Sequence, residues 1–239
     1  MLIRLDKYLA DMGLGTRSQV KDIIKKGKIN INGIVVKDSN LKVDSDKDEI
    51  YYEGNPIVYA EFEYYMLNKP AGVISASNDK KQKTVINLIE TRKRNDLFPV
   101  GRLDKDTEGL LLISNDGELS HNLLSPKKHV DKTYYVELDL PLSDEKAKEV
   151  CDGVYIEKDV KSLPAKLERI DERKVYLTIH EGKFHQVKKM FHAVGCEVTY
   201  LKRVTFGSLK LDENLGLGEY RPLTMEEINA LKIKNNLEF

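Results

Sequence analysis

Cysteine is scarce in this chain. The only two, Cys151 and Cys196 in 239 residues, form no CxxC spacing. They give neither a disulfide framework nor a paired-thiol zinc site, and both read as reduced thiols. Long hydrophobic runs are missing as well. None approaches the roughly 18 apolar residues of a membrane span, and the opening MLIRLD lacks the apolar core of a signal peptide, so a cytoplasmic protein is expected. No glycine-rich phosphate loop, internal repeat or low-complexity tract occurs, which leaves Rossmann or P-loop nucleotide binding unsupported. Net charge is also absent: 39 basic residues balance 39 acidic ones, which argues against a simple polyanion binder.

What is present is a chain 41% hydrophobic and 33% charged, enough for one large or two modest globular domains. Its neutral total conceals segregation. Met1 to Lys37 carries eight basic residues against three acidic, whereas Asp38 to Tyr59 carries two against six. The expected division is a module over 1–45, an acidic linker over 46–60 and a larger domain over 61–239.

In RLDKYLADMG, Leu5, Tyr8, Leu9 and Met12 fall at the i, i+3, i+4, i+7 spacing of one buried helix face, with Gly13 as the stop. A second helix is predicted from the Thr16 and Gln19 capping box, the apolar Val20, Ile23 and Ile24, and the terminating Gly27. Then KININGIVV alternates around Asn32-Gly33, a type I′ hairpin signal. The second helix also presents Arg17, Lys21, Lys25 and Lys26, a strip able to hold phosphates or simply to face water. This helix-helix-hairpin order resembles the alpha-L RNA-binding module typified by small-subunit ribosomal protein four. The resemblance implies RNA contacts at Arg4, Arg17, Ser18, Lys21 and Lys25.

From about Phe62 strands and helices mix without a regular βαβ period, so the fold class is α+β. FEYYMLNKPAG reads as a strand ending in a turn, TVINLIE as a short helix, and KTYYVEL and KVYLTIHEGK as strands. FHQVKKMFHAVG places Phe184, Val187, Met190, Phe191 and Val194 on one helical face before Gly195. Between them lies GRLDKDTEGLLL, with Asp104, Asp106 and Glu108 at alternate positions. Against a calcium loop these match positions 1, 3 and 5, but the bidentate glutamate required at position 12 is Asn115. An aspartyl-phosphatase motif fails too, because Thr107 follows Asp106 directly.

The stretch from Gly101 to Val136, with YYMLNKPAGVISA before it and IHEGKFHQVKKMFHAVGCEV after it, resembles the RNA pseudouridine synthases. The resemblance is strongest to the branch that modifies ribosomal RNA and carries an N-terminal alpha-L module. It implies a catalytic domain with a mixed, mainly antiparallel sheet and the isomerisation of uridine to pseudouridine. The length and the ending LGLGEYRPLTMEEI point to members acting on 16S rRNA, with 23S rRNA as the alternative. No cofactor is expected, since the reaction adds and removes no atom. The partner would be ribosomal RNA or a small-subunit assembly intermediate, with no membrane, and the protein a monomer.

The resemblance assigns the nucleophile to Asp104, which attacks the ribose anomeric carbon or assists glycal formation; the sequence does not choose between these or exclude addition to the base. A carboxylate in a dry pocket resists ionisation unless a cation is near. The family places a basic residue after its HQ pair. That position is Lys188, sometimes arginine in relatives, with Lys189 as a rival pointing about 100° away on a helix. Tyr134 matches the tyrosine that stacks on the target base and takes part in removing the carbon-five proton; its alternative is a core aromatic. Arg102 matches the residue that occupies the place vacated by the flipped uridine. Lys132, His185 and Gln186 complete the implied RNA contacts, and Lys127, Lys128, Lys183, Lys202 and Arg203 are candidates for a groove. His180, His185 and His192 form no HExxH, so no metal site is read. Two other functions stay open: a catalytically silent RNA-binding or ribosome-assembly protein on this scaffold, and a metal-dependent hydrolase.

Overall fold

The computed structural model describes residues 1–125 and 128–234, which form two compact units. The first comprises Met1–Glu63 with Glu90–Leu97, and the second comprises Tyr64–Ile89 with Phe98 onward.

In the first unit, β1 (Leu2–Arg4) leads directly into α1 (Leu5–Asp11). Then come α2 (Arg17–Lys25), β2 (Ile29–Ile31), β3 (Ile34–Val36), β4 (Lys42–Asp44), β5 (Ile50–Tyr52) and β6 (Asn55–Pro56). The capping box forms as its sequence implies: Gln19 N–H donates to Thr16 Oγ1 at 3.3 Å, and Thr16 N–H to Gln19 Oε1 at 2.9 Å. Asn32 and Gly33 both have positive φ, 52° and 86°, which lets the two-residue turn close β2 onto β3. Leu5, Leu9, Val20, Ile24 and Ile29 are fully buried in one core.

The acidic stretch 46–60 is not a bare linker. Its β5 pairs with β2, and Ile50 enters the same core, so this unit reaches past residue 45. Charge hid the strand because only one of its faces is buried. Glu90–Leu97 also belongs to this unit, where Arg94 is buried and donates to the Ala60 carbonyl at 3.2 Å. Composition gives no sign of that excursion.

The second unit is built on a nine-stranded sheet in the order β13-β14-β10-β15-β9-β7-β17, with β16 beside β15 and β8 beside β9. Its elements are β7 (Tyr64–Lys69), a 3-10 turn (Val85–Leu88), β8 (Phe98–Val100), β9 (Glu108–Ser114), α3 (Gly117–Leu124) and β10 (Lys132–Leu138). They continue with α4 (Asp144–Asp152), a small pair β11 (Tyr155–Glu157) and β12 (Val160–Lys161), β13 (Lys166–Arg169) and β14 (Lys174–Ile179). The last are α5 (Gln186–Ala193), β15 (Val198–Phe206), β16 (Leu209–Lys210), β17 (Tyr220–Pro222) and α6 (Met225–Lys234). Among the described residues every pairing between strands of this sheet is antiparallel except β9 with β15. Central β7 and β9 bury nearly all their residues, which explains why Leu110 to Ile113 reads as an unbroken apolar run. Among the described residues no helix is long and apolar enough to cross a membrane.

α5 starts two residues later than the periodicity implies. Phe184, expected in its buried face, precedes the helix and is 69% exposed. His185 sits between them in the left-handed region, φ 52° and ψ 33°, which breaks the helical phase.

Candidate active site

The loop joining β8 to β9 carries Asp104 on the rim of a cleft of about 640 Å³ in the second unit. A buried lysine builds this loop. Lys69 ends β7 fully buried, and its ammonium donates to four backbone carbonyls: Thr107 at 2.8 Å, Asp104 and Pro70 at 3.0 Å, and Lys105 at 3.3 Å. Burial pushes its pKa down to about 8, against the opposing pull of Asp106, Asp104 and Glu108. Ser75 adds a clasp, donating to the Leu103 carbonyl at 2.8 Å and accepting from its N–H at 3.1 Å. Sequence reading assigned Lys69 nothing. The signal available was a lysine closing an otherwise apolar strand just before a Pro-Ala-Gly turn.

Glycine is required at 109. Gly109 opens β9 at φ 99°, and a Cβ there would lie 2.3 Å from the Arg203 carbonyl oxygen. Its absence lets β15 run parallel to β9, with Arg203 opposite Gly109. On the other side β15 pairs with β10, setting Arg203 opposite Tyr134. The period-2 alternation of β10 then turns Lys132 and Tyr134 to the cleft together.

α5 brings the cations. Lys188 Nζ lies 3.6 Å from Asp104 Oδ2, and His185 Nε2 lies 3.6 Å from Asp104 Oδ1. Lys189 turns away to Glu157 at 2.6 Å, as helical geometry requires of a neighbour. The shortest contact of Lys188 is to Asp106, at 2.6 Å, and this ion pair holds the Asp106 carboxyl below its ordinary range. Asp106 is therefore tied to α5, and Glu108 to β15, where it accepts from the Tyr200 hydroxyl at 2.6 Å.

Several residues expected to touch RNA are committed elsewhere. Gln186 is 4% exposed; its amide donates to Glu181 at 2.6 Å and accepts from the Lys183 N–H at 2.9 Å, locking the turn before α5. Lys183 pairs with Glu181 at 2.8 Å. Lys132 is buried, donates to the Val130 carbonyl at 2.9 Å, and has its pKa pushed down to about 8 by burial and by Arg203. Arg203 is 2% exposed and lies inside the cleft wall, while Lys202 points to the opposite face of the sheet. Arg102 stays exposed at the mouth, Lys128 is exposed, and Lys127 lies outside the described residues. In the first unit Arg17, Ser18, Lys21 and Lys25 are exposed along α2. Arg4 instead clasps buried Asp6 at 2.7 and 3.1 Å and Asn40 at 2.8 Å. His180 meets Asp131 at 2.7 Å, and no cluster of three or more potential metal ligands occurs among the described residues.

The cleft thus brings together a carboxylate on a loop held by Lys69, a lysine and a histidine beside that carboxylate, and a buried tyrosine in the lining. Residues 63–193 match the family described as RNA pseudouridylate synthase, and residues 3–50 match the S4 domain; the chain belongs to the RNA pseudouridylate synthase family. It is 50% identical over 234 residues to an uncharacterized RNA pseudouridine synthase of Bacillus subtilis, covering 96% of this chain and 98% of that one. It is 41% identical over 232 residues to ribosomal small subunit pseudouridine synthase A of Haemophilus influenzae, covering 96% and 99%. A crystal structure of a pseudouridylate synthase, 40% identical, superposes with a TM-score of 0.68 over 96% of this chain and 99% of that one.

Proposed function

We propose that this protein converts a uridine of small-subunit, 16S ribosomal RNA to pseudouridine, with Asp104 as the nucleophile, Tyr134 at the base and Lys188 as the cation serving the carboxylate. The observation that carries this reading is the Asp104 carboxylate set 3.6 Å from both Lys188 and His185 in a cleft that Tyr134 also lines. The likeness over nearly the full chain to synthases named for the small ribosomal subunit supports the choice of RNA.

The isomerisation breaks the N1–C1′ bond, turns the uracil, joins C5 to C1′, and moves the C5 proton out as N1 regains one. Asp104 acts on the sugar, either by adding to C1′ or by drawing the C2′ proton to give a glycal. Both routes use an ionised carboxylate, which nearby cations favour. Tyr134, which lines the cleft, serves the base as a flat ring that tolerates rotation of its stacked partner and as the acceptor path for the C5 proton. Exposed Arg102 at the mouth supports filling of the gap left by the extruded uridine. The basic face of α2, with Arg17, Ser18, Lys21 and Lys25, supplies phosphate contacts that position rather than specify. The protein works as a cytoplasmic monomer on 16S rRNA or an assembling small subunit.

The test is tritium release from 16S rRNA carrying C5-labelled uridine, with native protein and Asp104→Asn compared in the presence of chelator. Release by the native chain alone supports the proposal. No release on free RNA or on assembling particles moves the function to RNA binding without chemistry. Equal release by both proteins would show that another group performs the attack.

A further inference from the structure

The cleft wall holds two buried polar atoms without a protein partner: Arg203 Nη2 and Thr107 Oγ1. Both side chains are at least nine-tenths buried, at 2% and 1% exposure. Arg203 spends its Nε–H on the Leu110 carbonyl at 2.8 Å and lies with its guanidinium carbon 4.9 Å from the Phe206 ring centre, with the Tyr134 side chain beside it. No carboxylate lies within ion-pair distance of it among the described residues. A guanidinium buried without a counter-charge and with an idle N–H is costly to keep for stability alone.

The two idle groups differ in what they offer. Arginine can only donate, whereas a threonine hydroxyl can accept. They adjoin across the β9–β15 pairing, because Thr107 lies two residues before Gly109, which pairs with Arg203. A uracil edge presents carbonyl oxygens that accept and, between them, an N3–H that donates. Cytosine presents an amino group and a bare N3 along the edge running from C4, so a donor-only arginine meets a donor there.

We propose that Arg203 and Thr107 form the reader of the target base: Arg203 Nη2–H donates to a uracil carbonyl and Thr107 Oγ1 accepts from N3–H. Arg203 is thereby a base contact, not a phosphate-binding surface cation, and at O4, where cytosine carries an amino group instead, it selects uridine. The inference rests on the proposed synthase activity and concerns how that site selects its base.

The experiment uses the full-length protein and 16S rRNA transcripts made with uridine, 2-thiouridine or 4-thiouridine, comparing native protein with Arg203→Met by pseudouridine formation in nuclease digests. Sulfur accepts hydrogen bonds poorly. Native protein is expected to slow at least about tenfold on one of the thio-RNAs relative to uridine RNA, the size of a lost hydrogen bond to a charged group. Arg203→Met is expected to be slower on uridine RNA and to show no further slowing on that same thio-RNA. A merely structural role for Arg203 would leave the thio ratio unchanged, and an unchanged ratio, or native protein indifferent to both thio-RNAs, overturns the inference. Should Arg203→Met not fold by circular dichroism, Arg203→Lys keeps a donor; its ratio is expected to fall between the native value and one, and a native-like ratio overturns the inference. A native chain inactive on uridine RNA is a different result, the failure of the synthase reading itself.

Discussion

Replacing Lys69 with methionine removes the ammonium around which the Asp104 loop is built and keeps the length of the chain. The ammonium has three N–H groups for its four carbonyls, and counting three lost hydrogen bonds at about 1.5–3 kcal/mol each would forecast a loss of about 5–9 kcal/mol, enough to unfold an ordinary domain. The loop geometry reduces that figure. The Asp104 carbonyl keeps a second donor in Thr107 N–H at 3.1 Å, and the Lys105 carbonyl keeps one in Gly72 N–H at 2.8 Å. Half-buried Pro70 can turn its carbonyl to water, so the Thr107 carbonyl is the acceptor left stranded. One stranded buried acceptor costs about 1–3 kcal/mol, and removing a buried cation returns part of that because its desolvation disappears. The expected destabilisation is about 2 kcal/mol, read from urea unfolding with an unchanged m-value. Activity is expected to fall further than stability does. Asp104 loses one of its two backbone anchors, and a displacement near 1 Å costs about 100-fold in rate. Single-turnover tritium release at saturating protein measures this. A Lys69→Met protein destabilised by about 2 kcal/mol but with a rate within about threefold of native would refute the positioning argument. One with native stability would show that the carbonyl nest contributes nothing to the fold.

Gly109→Ala puts a methyl 2.3 Å from the Arg203 carbonyl at a φ of 99°, so β9 and β15 must separate locally. A loss of about 2–4 kcal/mol is expected in thermal or urea unfolding. Lys188→Met should lower single-turnover rates at least about 100-fold, as expected for a lost transition-state electrostatic contact, while Lys189→Met, which breaks a pair with Glu157, should stay within about threefold. The Lys132 pKa is depressed to about 8 in the folded protein, against an ordinary lysine value of 10.5. The unfolded chain therefore binds more protons across that window, so this residue makes stability rise from about pH 8 to 10.5 and lose that gain as pH falls through 8. The rise amounts to about 3 kcal/mol at most, and Lys132→Met should flatten it relative to native in urea titrations, equal slopes being the contrary outcome.

Elements whose reasons are local can be read directly from the residues. A capping box, an Asn-Gly turn and a period-2 strand are each decided within about ten residues, and α2, the β2–β3 hairpin and β10 form where those signals lie. The motif from Gly101 to Leu112 likewise drew attention to Asp104. Tertiary structure decided which charges are buried and whom they meet. Lys69, Lys132, Gln186 and Arg203 look in sequence like residues for water or phosphate, yet β7, β9, β10, β15 and α5 enclose them. Asp106 and Lys188, 82 positions apart, meet only through the sheet order, which sets β15 between β9 and β10, with α5 brought to the loop. Burial and partner choice are properties of long-range packing, and a single sequence carries no direct record of which distant strands will become neighbours.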